Sequence, residues 1–179
     1  MNEDDILTFW FDECSQSDWW QKSDTFDQKI RDHFASVLTQ AKAGELSHWR
    51  ESPRGRLAEV IVLDQFSRNI YRDDARAFEA DSIALVLAQE AVRNEDDLKL
   101  TPTERAFLYM PYMHSESKKV HVEAVRLFES LGLENQLHFE KLHQDIINRF
   151  GRYPHRNKWL GRKSTSEELT FLQQPGSSF

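Results

Sequence analysis

Ser23-Asp-Thr-Phe-Asp-Gln-Lys-Ile-Arg-Asp-His-Phe-Ala-Ser-Val-Leu-Thr-Gln-Ala-Lys-Ala-Gly44 reads as one amphipathic helix with both ends marked. The Ser23 hydroxyl can accept from the backbone N–H groups that a helix start leaves without partners, and Gly44 tolerates the left-handed conformation that ends one. Between them Phe26, Ile30, Phe34, Val37 and Ala41 recur at steps of three and four, so they share one face. A strand would need alternation at period two, and no segment of the chain shows it convincingly. The chain is therefore expected to be all-α.

The same signals recur on either side. Pro53 suits a first helical position, and Leu57, Val60, Ile61, Asp64 and Arg68 follow in one direction, which sets an ionic pair inside an apolar stripe. Asp74 is expected to cap the next helix, whose Ile83-Ala-Leu-Val-Leu-Ala88 is apolar on all sides and predicts the most buried element. Thr101-Pro-Thr-Glu104 combines a capping box with proline at the first turn, and Pro111 should kink or end that helix near Met110. A further helix runs from about Ser117 to Leu131, with Val120, Ala124, Leu127 and Leu131 on one face and Gly132 as its stop. Another runs from about Glu134 to Phe150, with Phe139, Leu142, His143, Ile146 and Phe150 on its stripe and Gly151 as its stop. Ser164-Thr-Ser-Glu167 should cap a short terminal helix. The sum is seven or eight helices, joined by short loops into antiparallel pairs, in a single domain over residues 1–179 with a flexible tail at about 174–179.

Charge is distributed unevenly. The chain holds 23 Lys and Arg against 30 Asp and Glu, yet Arg149-Phe-Gly-Arg-Tyr-Pro-His-Arg-Asn-Lys-Trp-Leu-Gly-Arg-Lys163 carries six cations and no carboxylate. Global acidity argues against nucleic acid as a partner, which asks for a broad basic face. No apolar run approaches the ~20 residues of a membrane span, and the acidic Met1-Asn-Glu-Asp-Asp5 is unlike a secretory leader. Cys14 is the single cysteine, so neither an internal disulfide nor a cysteine-built zinc site is available, and a cytoplasmic location fits.

Two readings of the basic segment stand side by side. In one, Arg149, Arg152, His155, Arg156, Asn157 and Arg162 join Arg68, Asn69, His114, Glu116 and His143 around a small anion, a phosphorylated or carboxylated metabolite. If chemistry occurs there, His143 or His155 would carry the proton and Glu116 would set a tautomer. In the other, the same arginines pair with Asp64, Asp81 or Glu116 and tie the last helices to the first. The functional counterpart of that second reading is a scaffold that receives a peptide, which an acidic sequence would suit, on a concave helical surface. His114, Glu116, His143 and His155 lack a recognised metal-ligand spacing, so no metal is expected, and no cofactor fingerprint is present. Phe9-Trp-Phe11 and Trp19-Trp20 are expected to pack in the core, and His33 to be structural.

Leu63-Asp-Gln-Phe-Ser-Arg-Asn-Ile-Tyr-Arg72, Ala75-Arg-Ala-Phe78, Arg149-Phe-Gly-Arg-Tyr-Pro-His-Arg-Asn157 and Leu160-Gly-Arg162 together resemble the motifs of a family of bacterial proteins, the domain of unknown function 924 family. The likeness runs from Phe9 to the Ser164-Thr-Ser-Glu-Glu168 helix. Ser67 stands where the family has proline, and Tyr153 where it often has phenylalanine. The resemblance implies a tetratricopeptide-like, irregular α-α superhelix and brings no established activity.

Overall fold

The computed structural model describes residues 1–178 of 179. Among the described residues there are nine helices and no strand. They are α1 (residues 3–13, α-helical over Glu3–Thr8 and π-helical over Phe9–Glu13), α2 (Gln16–Trp20), α3 (Asp24–Lys42) and α4 (residues 53–70, with a π-helical segment at Val62–Phe66). Then follow α5 (Asp81–Arg93), α6 (Pro102–Met113), α7 (Lys118–Leu131), α8 (Glu134–Phe150) and α9 (Ser166–Phe171). The number exceeds seven or eight because the aromatic opening folds into α1 and α2, each started by a capping box, Asn2 with Asp5 and Ser15 with Asp18. Of the tail expected to be flexible, Phe179 lies outside the described residues.

Most helix ends form where local chemistry marked them. Ser23, Ser52, Thr101 and Ser117 each accept a backbone N–H from the first turn, and Gly132 and Gly151 adopt φ of 68° and 71°. The last capping box sits one residue later than expected, on Thr165 and Glu168. Asp74 accepts from Arg76 N–H and caps a 3₁₀ turn at Ala75–Phe78; α5 begins only at Asp81. Pro111 lies inside α6, which continues to Met113. Its missing N–H is tolerated so near the C-terminal end, where few helical hydrogen bonds follow.

The most buried element is α4, not α5. Every residue from Leu57 to Ser67 is buried, because α1, α3, α5 and α6 all pack against this helix. On α5 the buried positions are Ala84, Ala88 and Ala91, while Ile83 and Val86 are 40% and 56% exposed. Small side chains at i, i+4 and i+7 let α5 approach α4 closely, and the bulky residues face outward. The inward stripes of α7 and α8 are also rotated from expectation. His121, Ala124, Phe128 and Leu131 are buried on α7, and Glu140, His143, Ile146 and Ile147 on α8, whereas Phe139 and Leu142 are exposed.

Phe9 and Trp10 enter the main core against Phe26, Phe34, Phe66 and Phe107 as expected, and Phe11 and Trp19 pack on its edge; Trp20, also expected in the core, is 53% exposed, because it ends the short α2 and only stacks on Phe107 from outside. A smaller apolar cluster, Ile146, Ile147 and Tyr153 with Phe150 and Phe171, seats the basic segment and α9 on α8. Successive helices pack as sequence neighbours from α3 through α8. No helix is long and apolar enough to cross a membrane.

Candidate functional site

The π-helical segment of α4 widens one turn and carries Asp64, which is fully buried. A carboxylate cannot stay ionised there without donors, and Asp64 has three. His114 Nδ1 lies 2.8 Å from Oδ1, Gln65 Nε2 donates to Oδ2 at 2.7 Å, and Arg68 Nη1 lies 3.2 Å from Oδ1. Burial alone would raise its pKa; the charge of Arg68 and the contact with His114 outweigh that and hold it well below the carboxylate range. His114 caps the C-terminus of α6 and donates its own backbone N–H to Met110 at 2.9 Å.

Around this pair the arginines are bound by carboxylates from distant parts of the chain. Asp81, the first residue of α5, accepts Arg68 on both oxygens, at 2.9 and 3.0 Å, and Arg156 Nη1 on Oδ2 at 3.2 Å. Arg156 also donates to the His114 carbonyl at 2.9 Å, and its guanidinium lies 4.7 Å from the Phe78 ring and 4.6 Å from the Tyr153 ring. Glu116 receives Arg162 on both oxygens, at 2.6 and 2.9 Å, and the Tyr153 N–H at 2.7 Å. Arg152 grips Glu168 at 2.7 and 2.8 Å, Arg149 reaches Glu167 at 2.8 Å, and Asn157 donates to Ser164 at 3.1 Å and accepts from Arg162 at 2.8 Å. Every arginine of the basic segment thus has a carboxylate partner within the chain.

A cleft of about 370 Å³ opens beside this network. Phe78, Leu85, Pro111 and Leu160 supply apolar wall; Asp81, Ser82, His114, Glu116 and Arg156 supply polar groups. Of the site residues expected from the sequence, His114, Glu116 and Arg156 therefore line one hollow. Arg68 and Arg162 stand one contact behind it, bonded to Asp81 and Glu116. Arg149, Arg152 and Asn157 serve the α9 junction instead. Asn69 is elsewhere, donating at 2.8 Å to Asp27, which also binds Arg72.

His143 and His155 come together on Tyr153 and are not among the residues that line the cleft. Each ring lies 5.7 Å from that of Tyr153. Burial holds both imidazoles neutral, pushing His143 down to about 3 and His155 to about 4. The Phe139 carbonyl, 2.7 Å from His143 Nδ1, fixes that ring's tautomer, a role expected of Glu116.

Two buried groups of the same region lie off the stripes expected of α7 and α8. His121 and Glu140 pair at 2.7 Å with both side chains fully buried, and Tyr153 donates to the Met113 carbonyl at 2.5 Å beside them. The spacing of His121, Ala124, Phe128 and Leu131 holds the clue, since Phe128 marks that face as the inner one. Cys14 is half-buried and its thiol is pushed up to about 12, so it stays protonated. Among the described residues no group of three or more His, Cys, Asp or Glu is placed to hold a metal ion.

The pattern of a family described as "Bacterial protein of unknown function (DUF924)" matches residues 6–176. The chain is a member of the DUF924 family. A solved structure of a protein of unknown function, ATU0120 from Agrobacterium tumefaciens, is 36% identical, covers 96% of this chain and 96% of its own, and superposes with a TM-score of 0.91. No curated protein matches.

Proposed function

We propose that this DUF924 protein is a cytoplasmic small-molecule binder whose ligand, a polar metabolite without net charge or a zwitterion, occupies the cleft beside His114. The observation that carries the reading is the charge balance of the cleft and its first supports. Four carboxylates, Asp64, Glu79, Asp81 and Glu116, face four cations, Lys42, Arg68, Arg156 and Arg162, in mutual contact. A dianion would have to displace one of these carboxylates to gain a guanidinium, whereas a neutral ligand can bond to the rim and stack on its apolar wall. The volume falls within the range of ordinary metabolite sites. Sequence-neighbour packing from α3 to α8 supports treating the frame as an irregular α-α superhelix.

Thermal-shift screening tests this with polyols, amino acids and sugars on one side and phosphate and citrate on the other. Ser82 is exposed on the cleft wall and bonds to none of the network, so Ser82→Trp fills the hollow without touching an ion pair. A ligand at about 100 times its Kd stabilises by about 2.7 kcal/mol, enough to move Tm by roughly 5–10 °C at this chain length. That shift is expected in the wild type with uncharged or zwitterionic compounds and is absent in Ser82→Trp. Equal shifts in both proteins would refute the site; a preference for phosphate or citrate would restore the anionic metabolite as its occupant. A second reading, the peptide scaffold, draws on the internal pairing of every loop arginine, which leaves those cations serving the fold.

A further inference from the structure

We propose that Asp64 and His114 form a proton-accepting dyad at the cleft, with His114 Nε2 as the atom that takes the proton from a hydroxyl of the bound ligand. The proposal rests on the cleft being a ligand site and adds to it a chemical role that neither the family nor the solved relative assigns.

Asp64 itself is unsuited to be the base. It is sealed from solvent, and Gln65, Arg68 and His114 surround it, so its charge is spent holding its neighbours. That ionised carboxylate requires the ring atom facing it to be a donor, which places the hydrogen of a neutral imidazole on Nδ1 and the lone pair on Nε2. Among the described residues nothing hydrogen-bonds Nε2; His114 is one of the residues that line the cleft, and its side chain is 16% exposed. The residue is also held at both ends of its backbone. Its N–H is bound to the Met110 carbonyl and its C=O to Arg156 Nη2, so the ring has little freedom to turn away.

The surrounding charges keep the imidazole neutral, with its lone pair available. Arg68 and Asp64 face His114 from α4, Asp81 from α5, Arg156 from the basic segment, and the rings of His143 and His155 stand within electrostatic reach. Burial, then Arg68, hold the imidazole below its ordinary range, against the opposing pull of Asp64 and Asp81, so it is neutral near pH 7. In the step, the ligand O–H bond breaks, its electron pair stays on oxygen and the proton joins Nε2. The resulting imidazolium keeps its Nδ1–H on the Asp64 carboxylate, which stabilises it.

Long-range proton–nitrogen NMR of uniformly nitrogen-15-labelled wild type reads the dyad with no ligand present. His114 is expected as the neutral Nδ1–H tautomer at pH 7, and Asp64→Asn removes that preference. Carbethoxylation with diethyl pyrocarbonate, mapped by peptide mass spectrometry, reads the lone pair. His114 is expected to react together with the exposed His33, His48 and His138, to spare the sealed His121, and to lose its reaction in Ser82→Trp. An Nε2–H tautomer, an imidazolium at pH 7, or a wild-type His114 that resists the reagent while the exposed histidines react overturns the proposal. The wild-type measurements decide it even if Asp64→Asn does not fold. A correct tautomer and reactive Nε2 alongside a blank thermal-shift screen would instead count against the ligand reading alone.

Discussion

Replacing Asp81 with alanine removes one carboxylate from two guanidiniums at once. Asp81 accepts Arg68 on both oxygens and Arg156 on one of them, and the Arg156 side chain is only 7% exposed. Breaking a buried ion pair by deleting one partner costs about 3–5 kcal/mol, because the remaining charge is left without compensation. Here Arg68 keeps Asp64 and Arg156 keeps the His114 carbonyl and two aromatic faces, which lowers the expected loss to about 2–4 kcal/mol. For a domain of this length that is a fall in Tm of roughly 5–12 °C. Urea unfolding followed by the fluorescence of the five tryptophans measures it. Asp81→Asn carries the sharper consequence. It keeps the shape and an acceptor but cancels the charge, so phosphate at fixed ionic strength should stabilise this variant and leave the wild type unmoved. A loss below about 1 kcal/mol in Asp81→Ala would class the cluster with exposed surface pairs. Equal phosphate stabilisation of both proteins would mean that the cations are not neutralised internally.

Acid should weaken the fold before the carboxylates titrate. The folded pKa values of His114, His143 and His155 are depressed, so below about 6.5 the unfolded chain binds protons that the folded one refuses, and each histidine removes up to ~1.4 kcal/mol of stability per pH unit. Glu140, raised by burial, works in the opposite direction over the lower part of that range. The net expectation between pH 7.5 and 5.5 is a loss of about 2–3 kcal/mol in urea unfolding, reduced in His143→Gln; a flat profile would show that these imidazoles are hydrated. Below about pH 4.5 the depressed carboxylates Asp64, Glu116 and Glu168 add to the loss. Gly55→Ala should destabilise by about 1–3 kcal/mol although helix propensity favours alanine by ~1, since a Cβ there would lie 1.9 Å from the Trp49 carbonyl oxygen. A more stable variant in the same unfolding assay would refute that packing.

What the sequence disclosed was local. Ser23, Ser52 with Pro53, Thr101 with Pro102, Gly132 and Gly151 act on backbone atoms within four residues of themselves, so their positions could be read without knowing any neighbour. The inward face of a helix is a different kind of fact. On α5 three alanines are buried and Ile83 and Val86 are not, because the face that meets α4 is chosen by how closely two backbones can approach. On α8 Phe139 and Leu142 looked like core and His143 like an intruder, yet His143 and Glu140 are the buried ones, packed on Tyr153 and His121 that arrive from elsewhere in the chain. For the same reason Asn69, two residues from Ser67 in a motif rich in chemistry, turned to Asp27, while Asp64 in the same motif turned to His114.

The charge asymmetry of the sequence has a tertiary cause. The four arginines from Arg149 to Arg162 are answered by Glu116, Asp81, Glu167 and Glu168, of which Asp81 is 75 positions from Arg156 and Glu116 is 46 from Arg162. A segment that fastens onto carboxylates of α5, of the turn after α6 and of α9 carries one sign of charge. The fastening reaches the cleft at three residues, Asp81 and the His114 carbonyl through Arg156 and Glu116 through Arg162 and the Tyr153 N–H, and the bond to His114 lets the C-terminal segment both close the fold and help set the angle at which the imidazole meets whatever enters. Stability and site geometry are therefore coupled through Arg156. A substitution there should disturb the His114 tautomer and the unfolding midpoint together, whereas Arg149→Ala, whose partner Glu167 lies out in solvent, should leave both nearly unchanged.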